Sequence, residues 1–170
     1  LGQAYQAIDR LHEAGLIYDA HIMTGVAGKG RGMENAEALA QFLNRTNPAH
    51  VVNFSMFLHK EVPLYEDIRQ GTFVPADELE TIREEYHLIE RIAPEKAGAN
   101  ILYDGFHDFI HVRVRGHLPG DKEKMLAKLS GIIQEYEGKE PVYSFVQGEC
   151  PDLEYCDDGK AVWDMDRKTS

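Results

Sequence analysis

The first half of the chain alternates between helical and extended hydrophobic patterns, and this alternation constrains the fold more than any other feature. Apolar side chains recur at helical spacing over residues 2–14 and 34–46. Each of these stretches is followed by a mostly apolar run, over 16–24 and 50–58, that is typical of a buried strand. An alternating order of helices and strands favours parallel strands joined by crossover helices. The pattern therefore predicts an α/β fold in which these two strands are neighbours in one sheet.

The pattern changes in the second half, where the predicted elements are less regular in order. We expect a long loop over 59–75 and then a helix over 77–92, which begins at the capping-box pair Asp77 and Glu80. The remaining predicted elements are one strand over 106–118 with a single packed face, a helix over 122–136 and a last short strand over 141–147.

Composition and charge exclude several classes of function. The net charge is −11, from 29 acidic and 18 basic residues, and there is no long basic run, so a nucleic-acid partner is not expected. No apolar run approaches the ~18 residues of a membrane span, and the paucity of cysteine favours a cytoplasmic protein. The chain begins inside a helical pattern and without a methionine, which indicates a fragment of a longer protein.

A glycine-rich loop, Gly25 to Gly32, follows the first predicted strand. Loops at this position of a parallel sheet commonly hold a ligand, and glycine allows the backbone to approach it closely. The familiar phosphate motifs are incomplete, because Gly28-Lys29-Gly30 lacks the hydroxyl residue of a P-loop. Two interpretations therefore stay open at this point, a flexible connector and a ligand-binding loop.

Several short motifs occur in an order that resembles radical S-adenosylmethionine (SAM) iron–sulfur enzymes, in particular coproporphyrinogen-oxidase-like and related oxidoreductases. Each motif alone is weak, and their order and spacing over residues 1–93 carry the resemblance. The motifs are Ala14-Gly15-Leu16 after a helix, Ile22-Met23-Thr24-Gly25-Val26-Ala27-Gly28, Asn47-Pro48-Ala49-His50-Val51, and Val62-Pro63-Leu64-Tyr65 followed by Gly71.

The resemblance implies a fold and a division of the chain into three segments. Residues 1–93 would be a partial (β/α) barrel, made of the last strand–helix units of the SAM barrel. Residues 94–148 would be a C-terminal α+β extension, a strand–helix module that acts on the substrate or as an accessory. Residues 149–170 form an acidic tail that we expect to be loosely ordered, with Val162 and Trp163 as a possible anchor.

The resemblance also implies a cofactor site. The loop residues Gly25, Val26, Ala27 and Gly28 would line the adenine and ribose side of SAM, and Phe57 and Leu58 at the end of the second strand would pack on adenine. These are binding contacts, and no residue of the chain is predicted to be catalytic.

The chain departs from the family in its loop and its cysteines. Ala27 stands where the family usually has proline, and Lys29 where it has glutamate. The CxxxCxxC motif, which binds the [4Fe–4S] cluster that reduces SAM to a 5′-deoxyadenosyl radical, is absent, and Cys150 and Cys156 are too few to replace it. We therefore expect this chain to be inactive alone, with the cluster ligands and the N-terminal half of a ~250-residue barrel supplied from elsewhere.

Four further residues are candidates for contact with a small-molecule substrate. They are His21 and His59, near the ends of the two strands, and Arg113 and Arg115, which suit an anionic group. The alternative for the arginines is a solvated sheet face. A metal held by His107, His111 and His117 is not predicted, because four residues along a strand span ~13 Å.

Three functions remain as hypotheses from the sequence. The first is a fragment of a radical SAM oxidoreductase that contributes one wall of the SAM site. The second is a stand-alone α/β binding domain that dimerises through an exposed sheet edge without catalysis. The third, an ordinary α/β enzyme, lacks a recognisable set of nucleophile, base and orienting group.

Overall fold

The structure, a computed structural model, describes residues 1–145, 154–155 and 161–162, and it has a mixed α/β fold, as the hydrophobic pattern predicted. In this part of the chain no helix is long and apolar enough to cross a membrane. The helices are α1 (Gly2–Glu13), α2 (Gly32–Thr46), α3 (Pro63–Gln70), α4 (Glu78–Arg91) and α5 (Lys122–Tyr136), with a 3-10 turn over Asp108–Ile110. The strands are β1 (Asp19–Thr24), β2 (His50–Ser55), β3 (Ile101–His107), β4 (Val112–Leu118), β5 (Glu154–Tyr155) and β6 (Ala161–Val162).

The main sheet is open and has the order β1-β2-β3-β4. The first three strands are parallel and β4 is antiparallel to β3. The pairing of Asp19 with His50 through to Thr24 with Ser55 confirms that the first two predicted strands are neighbours. The short strands β5 and β6 form a separate antiparallel pair.

The main hydrophobic core lies between this sheet and the three helices α2, α4 and α5. Helix α4 packs against both α2 and α5. The strand residues in this core alternate along each strand, so they all point to the same side of the sheet. They are Ala20, Val51, Ile101, Tyr103, Val114 and Leu118, and their partners on the helices include Ala36, Ala40, Leu43, Ile82, Leu88, Ile89, Met125 and Leu129.

Local signals in the sequence set the ends of two helices. At the start of α4, the Asp77 carboxylate accepts a hydrogen bond of 2.8 Å from the backbone N–H of Glu80, which confirms the predicted cap. Helix α2 ends where Asn47 adopts a left-handed conformation with φ of 45°, directly before Pro48.

Two predictions about the second half were wrong. The stretch 106–118 is not one strand, because the chain reverses after His107 through a 3-10 turn that ends at His111 with φ of 55°. The apolar alternation hid this turn because Ile110 within it is buried like a strand residue. The stretch 59–75 is not all loop, since Pro63 begins a helix that Gly71 ends in the left-handed conformation.

The sheet crosses the boundary that we predicted at residue 93. Strands β3 and β4 continue the sheet of β1 and β2, so the first two predicted segments share one core. Of the last predicted strand, over 141–147, the structure describes residues 141–145, where Phe145 forms a single bridge with Leu58. This bridge lies within a second small core that also holds Tyr65, Ile68 and Tyr143. The anchor predicted at Trp163 and the two cysteines lie outside the described residues.

Candidate functional site

One face of the main sheet carries no helix layer in the described part of the chain, and we call it the open face. None of its residues belongs to either hydrophobic core. The registers of the strands place these side chains in three rows that run across the sheet. The rows are Asp19, His50, Leu102 and His117; His21, Val52, Asp104 and Arg115; and Met23, Phe54, Phe106 and Arg113.

Aromatic and cationic groups form a continuous line across the open face near the carboxyl ends of the parallel strands. The rings of Phe54 and Phe106 are stacked, with centroids 5.5 Å apart and an interplanar angle of 16°. The ring of His21 lies 6.4 Å from Phe54 on one side, and the guanidinium carbon of Arg113 lies 4.7 Å from the Phe106 centroid on the other. This arrangement offers a flat apolar floor with polar groups at both ends.

The carboxylate of Asp104 pairs with two guanidinium groups on this face. Arg113 donates through Nε and Nη2 to the two oxygens of Asp104, at 2.8 and 2.6 Å. The Nε of Arg115 lies 3.7 Å from the same carboxylate. The hydrogen bonds from Arg113 hold the pKa of Asp104 below its ordinary value, so the carboxylate stays charged. The three groups together carry one net positive charge, which suits a ligand with an acidic group.

The structure brings three of the four predicted substrate residues to this face. His21 lies on β1, and Arg113 and Arg115 lie on β4. His59 lies beyond the end of β2 and is not part of the open face, and its Nδ1 accepts a hydrogen bond of 3.2 Å from the N–H of Glu61.

The glycine loop follows β1 at the carboxyl edge of the sheet, and its glycines are required by packing. Gly25 and Gly28 have φ of 86° and 80°. A Cβ on Gly25 would lie 2.8 Å from Thr81 Cγ2, and one on Gly28 would lie 2.8 Å from the carbonyl oxygen of Val74. These two glycines are therefore explained by the fold itself, without a ligand.

Most backbone N–H groups of the loop donate within the protein. The N–H of Gly25 donates to Glu84 at 2.9 Å, and that of Gly30 donates to Glu80 at 3.1 Å. The N–H groups of Gly28, Lys29 and Arg31 donate to carbonyl oxygens. Among the residues that the structure describes, no acceptor pairs with the N–H groups of Val26 and Ala27.

The predicted cofactor residues thus separate into two groups. Gly25, Gly28 and Leu58 are buried, and Leu58, only 2% exposed, packs in the second core. Val26 and Phe57 are 43% and 54% exposed, and Ala27 is half-buried beside Val26. Of the residues predicted to contact the cofactor, only Val26, Ala27 and Phe57 therefore have side chains that reach the surface of the described part of the chain.

A second polar site, which the sequence analysis did not predict, lies on the opposite side of the sheet beneath α4, and we call it the buried polar cluster. Its centre is His107, whose Nδ1 lies 3.0 Å from Glu78 and whose Nε2 lies 3.0 Å from Glu85. All three side chains are at most 2% exposed. The other members are Asn53, Ser55, Tyr103 and Ser144, which hydrogen-bond to these glutamates, and Glu84, which binds the loop at Gly25.

Electrostatics fix the charge of His107 in this cluster. Burial alone would lower the pKa of His107, but the hydrogen bonds and charges of Glu78 and Glu85 outweigh it and raise the pKa to about 10. His107 is therefore a cation at neutral pH, held between two carboxylates. Every member is buried and makes at least one hydrogen bond, although the Oδ1 of Asn53 has no partner among the described residues. Within the part of the chain that the structure describes, the cluster is therefore a set of mutually bonded core groups.

A signal for the buried polar cluster is present in the sequence. Glu78 and Glu85 share the helical spacing of Ile82 and Ile89, so they lie on the apolar stripe of α4. His107 lies on the same face of β3 as Tyr103. The single strand predicted over 106–118 had instead placed His107 on the same face as Arg113. A carboxylate on a core stripe requires a buried partner.

Metal chemistry has no ligand set in the described residues. No group of three or more His, Cys, Asp or Glu side chains there is placed to hold a metal ion. An iron–sulfur cluster does not fit this chain, because its two cysteines, Cys150 and Cys156, are fewer than a cluster needs.

Comparison with known proteins gives no assignment. No protein-family model, no curated protein and no solved structure matches the chain.

Proposed function

We propose that this chain supplies the last strand–helix units of a radical SAM barrel, and that the open face lines the interior of that barrel. The observation that supports this most is the winding of the sheet. Strands β1, β2 and β3 are parallel and follow one another in sequence order, while α2, α4 and α5 share one core on one side. Right-handed crossovers between strands in sequential order put all helices on one face, which is the winding of a barrel and not of a doubly wound sheet.

The exposed surfaces of the sheet support the same proposal. Parallel sheets are normally covered on both faces, yet the open face carries Phe54, Phe106 and Leu102 outside both hydrophobic cores. Strand β1 is an edge strand, and the residues before it, Leu16 and Ile17, are 54% and 83% exposed. A preceding strand of a barrel would pair with β1 and cover these side chains.

The other edge of the sheet differs from β1. Strand β4 returns antiparallel through a short turn, and its outer edge is occupied by Asp121, which accepts from the N–H of His117, and by Lys128, which donates to the carbonyl of Arg113. Further strands would therefore be added at β1 only. This agrees with the family resemblance, in which the motifs belong to the last units of the barrel.

In this proposal the carboxyl edge of the sheet binds the cofactor. The free N–H groups of Val26 and Ala27 and the exposed ring of Phe57 would hold the adenosine part of SAM. SAM, when bound, would supply the radical chemistry, with an iron–sulfur cluster held by cysteines outside this chain. The residues of this chain bind and orient, and Glu84 holds the loop in place through Gly25.

The substrate would be a small molecule that lies over the open face. The stacked rings of Phe54 and Phe106 would support its apolar part. Arg113 and Arg115 together carry one more positive charge than Asp104 neutralises, so they would bind an acidic group of the substrate. His21 would contact the opposite end of the substrate.

A second function follows from the outer edge of β1, which pairs with no other strand in the part of the chain that the structure describes. The chain would instead be a stand-alone domain that forms a homodimer by pairing β1 with β1 of a second copy, which also covers Leu16 and Ile17. This function needs no cofactor.

The experiment that tests the proposal starts with the encoding gene. We expect an in-frame segment before Leu1 that contains CxxxCxxC and further strand–helix units, and we expect the complete product to bind SAM saturably in calorimetry. Phe57→Ser should weaken that binding about tenfold, because it removes an apolar wall. Val62→Ser, at a side chain of similar exposure in the same region, is the matched control and should leave it unchanged.

The opposite result would be a start codon directly before the codon for Leu1, together with a dimer in analytical ultracentrifugation and no SAM binding. In that case an Ile17→Lys variant should dissociate the dimer. That outcome would reject the barrel and establish the stand-alone domain.

A further inference from the structure

A basic cleft lies at the outer edge of the sheet, between β4 and α5. Its volume is about 440 Å³. It is lined by Arg113, Val114, Arg115, Lys124, Met125 and Lys128. Four of these six residues are cationic and none is acidic, although the chain as a whole carries a charge of −11. The cleft is therefore a local reversal of the sign of the protein's charge.

The positive charges of the cleft are only partly neutralised by the protein. Arg113 and Arg115 share the carboxylate of Asp104. Lys128 donates to the backbone carbonyl of Arg113 at 2.6 Å, which satisfies a donor but cancels no charge. Lys124 makes no hydrogen bond or ion pair with any group that the structure describes. Like charges held close together repel, and a bound anion would relieve that repulsion.

The backbone of β4 adds a donor to the cleft. The N–H and C=O of His117 both bond to Asp121, and the C=O of Arg113 bonds to Lys128. Alternate residues of β4, at positions 113, 115 and 117, therefore direct their backbone N–H and C=O groups away from β3. Arg115 has the same parity and lies between them. The N–H of Arg115 therefore points away from β3 at the outer edge of the sheet, between backbone groups that Asp121 and Lys128 already bond.

This arrangement distinguishes between two kinds of anion. An acidic peptide that added to β4 as a strand would need the backbone groups of residues 113, 115 and 117 together. Asp121 and Lys128 already occupy the outer positions, and only Arg115 remains. A compact anion needs no continuous strand edge, and it would contact two lysines, an arginine and one N–H at the same time.

We propose that this cleft binds a small, multiply charged oxyanion of the phosphate class, such as a diphosphate or a phosphate monoester, through Lys124, Lys128 and Arg115. The site goes beyond the proposed SAM barrel through its two lysines, which lie on α5 outside the open face, while Arg115 is common to both proposals. Arg113 and Arg115 lie at the border of the two sites.

Calorimetric titration of the complete chain with inorganic pyrophosphate tests the proposal. We expect saturable binding with a 1:1 stoichiometry and an affinity that falls as salt is added. Lys124→Gln should weaken it about tenfold, since it removes one charge-assisted hydrogen bond. The matched control is Lys96→Gln, at an exposed lysine distant in sequence from the cleft, which should leave the affinity unchanged. Circular dichroism should show both variants folded.

Two further titrations identify the ligand more closely. Ribose 5-phosphate in place of pyrophosphate separates a monoester from a diphosphate, and the tighter of the two names the class. A dissociation constant for both weaker than about 1 mM overturns the proposal, as does equal weakening by Lys124→Gln and Lys96→Gln. Tighter binding of a polyglutamate peptide than of either phosphate would also overturn it, in favour of an acidic protein partner.

Discussion

The two faces of the main sheet carry similar chemical groups in opposite environments. Beneath α4, His107 lies between two carboxylates and is fully buried. On the open face, His21 is exposed and lies beside an aromatic ring, and the exposed side chain of Arg113 pairs with the buried carboxylate of Asp104. Strand β3 supplies a member of each set, since His107 points to one face and Asp104 to the other, whereas Glu78 and Glu85 lie on α4.

Strand parity therefore decides whether a polar residue of this sheet stabilises the fold or remains available to a ligand. Burial makes charged groups depend on one another, because an unpaired charge in the core is costly. Exposed groups are solvated, so each contributes little to stability and is free to change partner. Substitutions in the buried polar cluster should therefore affect folding, and those on the open face should affect binding.

The largest expected effect is the loss of the buried cation. His107→Leu leaves Glu78 and Glu85 without their partner, and we expect the free energy of unfolding to fall by about 3–5 kcal/mol. Urea denaturation followed by circular dichroism measures it. His21→Leu on the open face is the control, with an expected change below about 0.5 kcal/mol. An equal loss of unfolding free energy for His107→Leu and His21→Leu would contradict the distinction between the two faces.

The second effect is a pH dependence of the same cluster. The pKa of His107 is raised from 6.5 to about 10 in the folded state, so the folded protein keeps a proton that the unfolded chain loses. Its contribution to stability is complete below the unfolded pKa and is lost as pH rises through the folded value.

The stability difference between the parent protein and His107→Leu should therefore shrink from about pH 7 to about pH 9.5, by at most about 1.4 kcal/mol per pH unit. Urea titrations at several pH values measure this difference. A difference that stays constant, or that grows with pH, would show that His107 is neutral in the folded protein.

The third effect concerns the space beside Glu85. A Cβ on Gly105 would collide with the Oε1 of Glu85, so Gly105→Ala should cost about 1–3 kcal/mol through displacement of the cluster. Gly131 in α5 has no heavy atom within 4 Å of such a Cβ, and Gly131→Ala should instead stabilise the protein by about 0.5–1 kcal/mol. Thermal unfolding of the two variants should shift in opposite directions, and shifts of the same sign would contradict the close approach at Gly105.

The smallest effect is expected on the open face. Arg113→Gln removes both hydrogen bonds to Asp104 and should cost about 1 kcal/mol. Arg115→Gln removes only a 3.7 Å contact of an exposed guanidinium with Asp104, whose carboxylate keeps both hydrogen bonds from Arg113, and should cost less than about 0.5 kcal/mol. Urea denaturation distinguishes them, and a larger loss for Arg115→Gln would mean that Asp104 is held differently.

The candidate site was predicted unevenly from the sequence. His21 was predicted from its place near the end of a strand, and Arg113 and Arg115 from the alternation of polar and apolar residues, and the structure places all three on the open face. Leu58 was placed at the cofactor, but it packs in the second core, because the turn into α3 lies beside residues 143–145. The glycines of the loop were interpreted as ligand contacts, whereas Thr81 and Val74 account for Gly25 and Gly28.

The sequence by itself determined the α/β order, the parallel neighbours β1 and β2, and the helices α2, α4 and α5, because periodicity and capping are local properties of the chain. The turn of the chain after His107, the meeting of Glu78 and Glu85 at that residue, and the lack of a helix layer on one face of the sheet among the described residues appear only in the tertiary structure. These features depend on residues that are distant in sequence, and no local pattern records which buried carboxylate finds which buried cation.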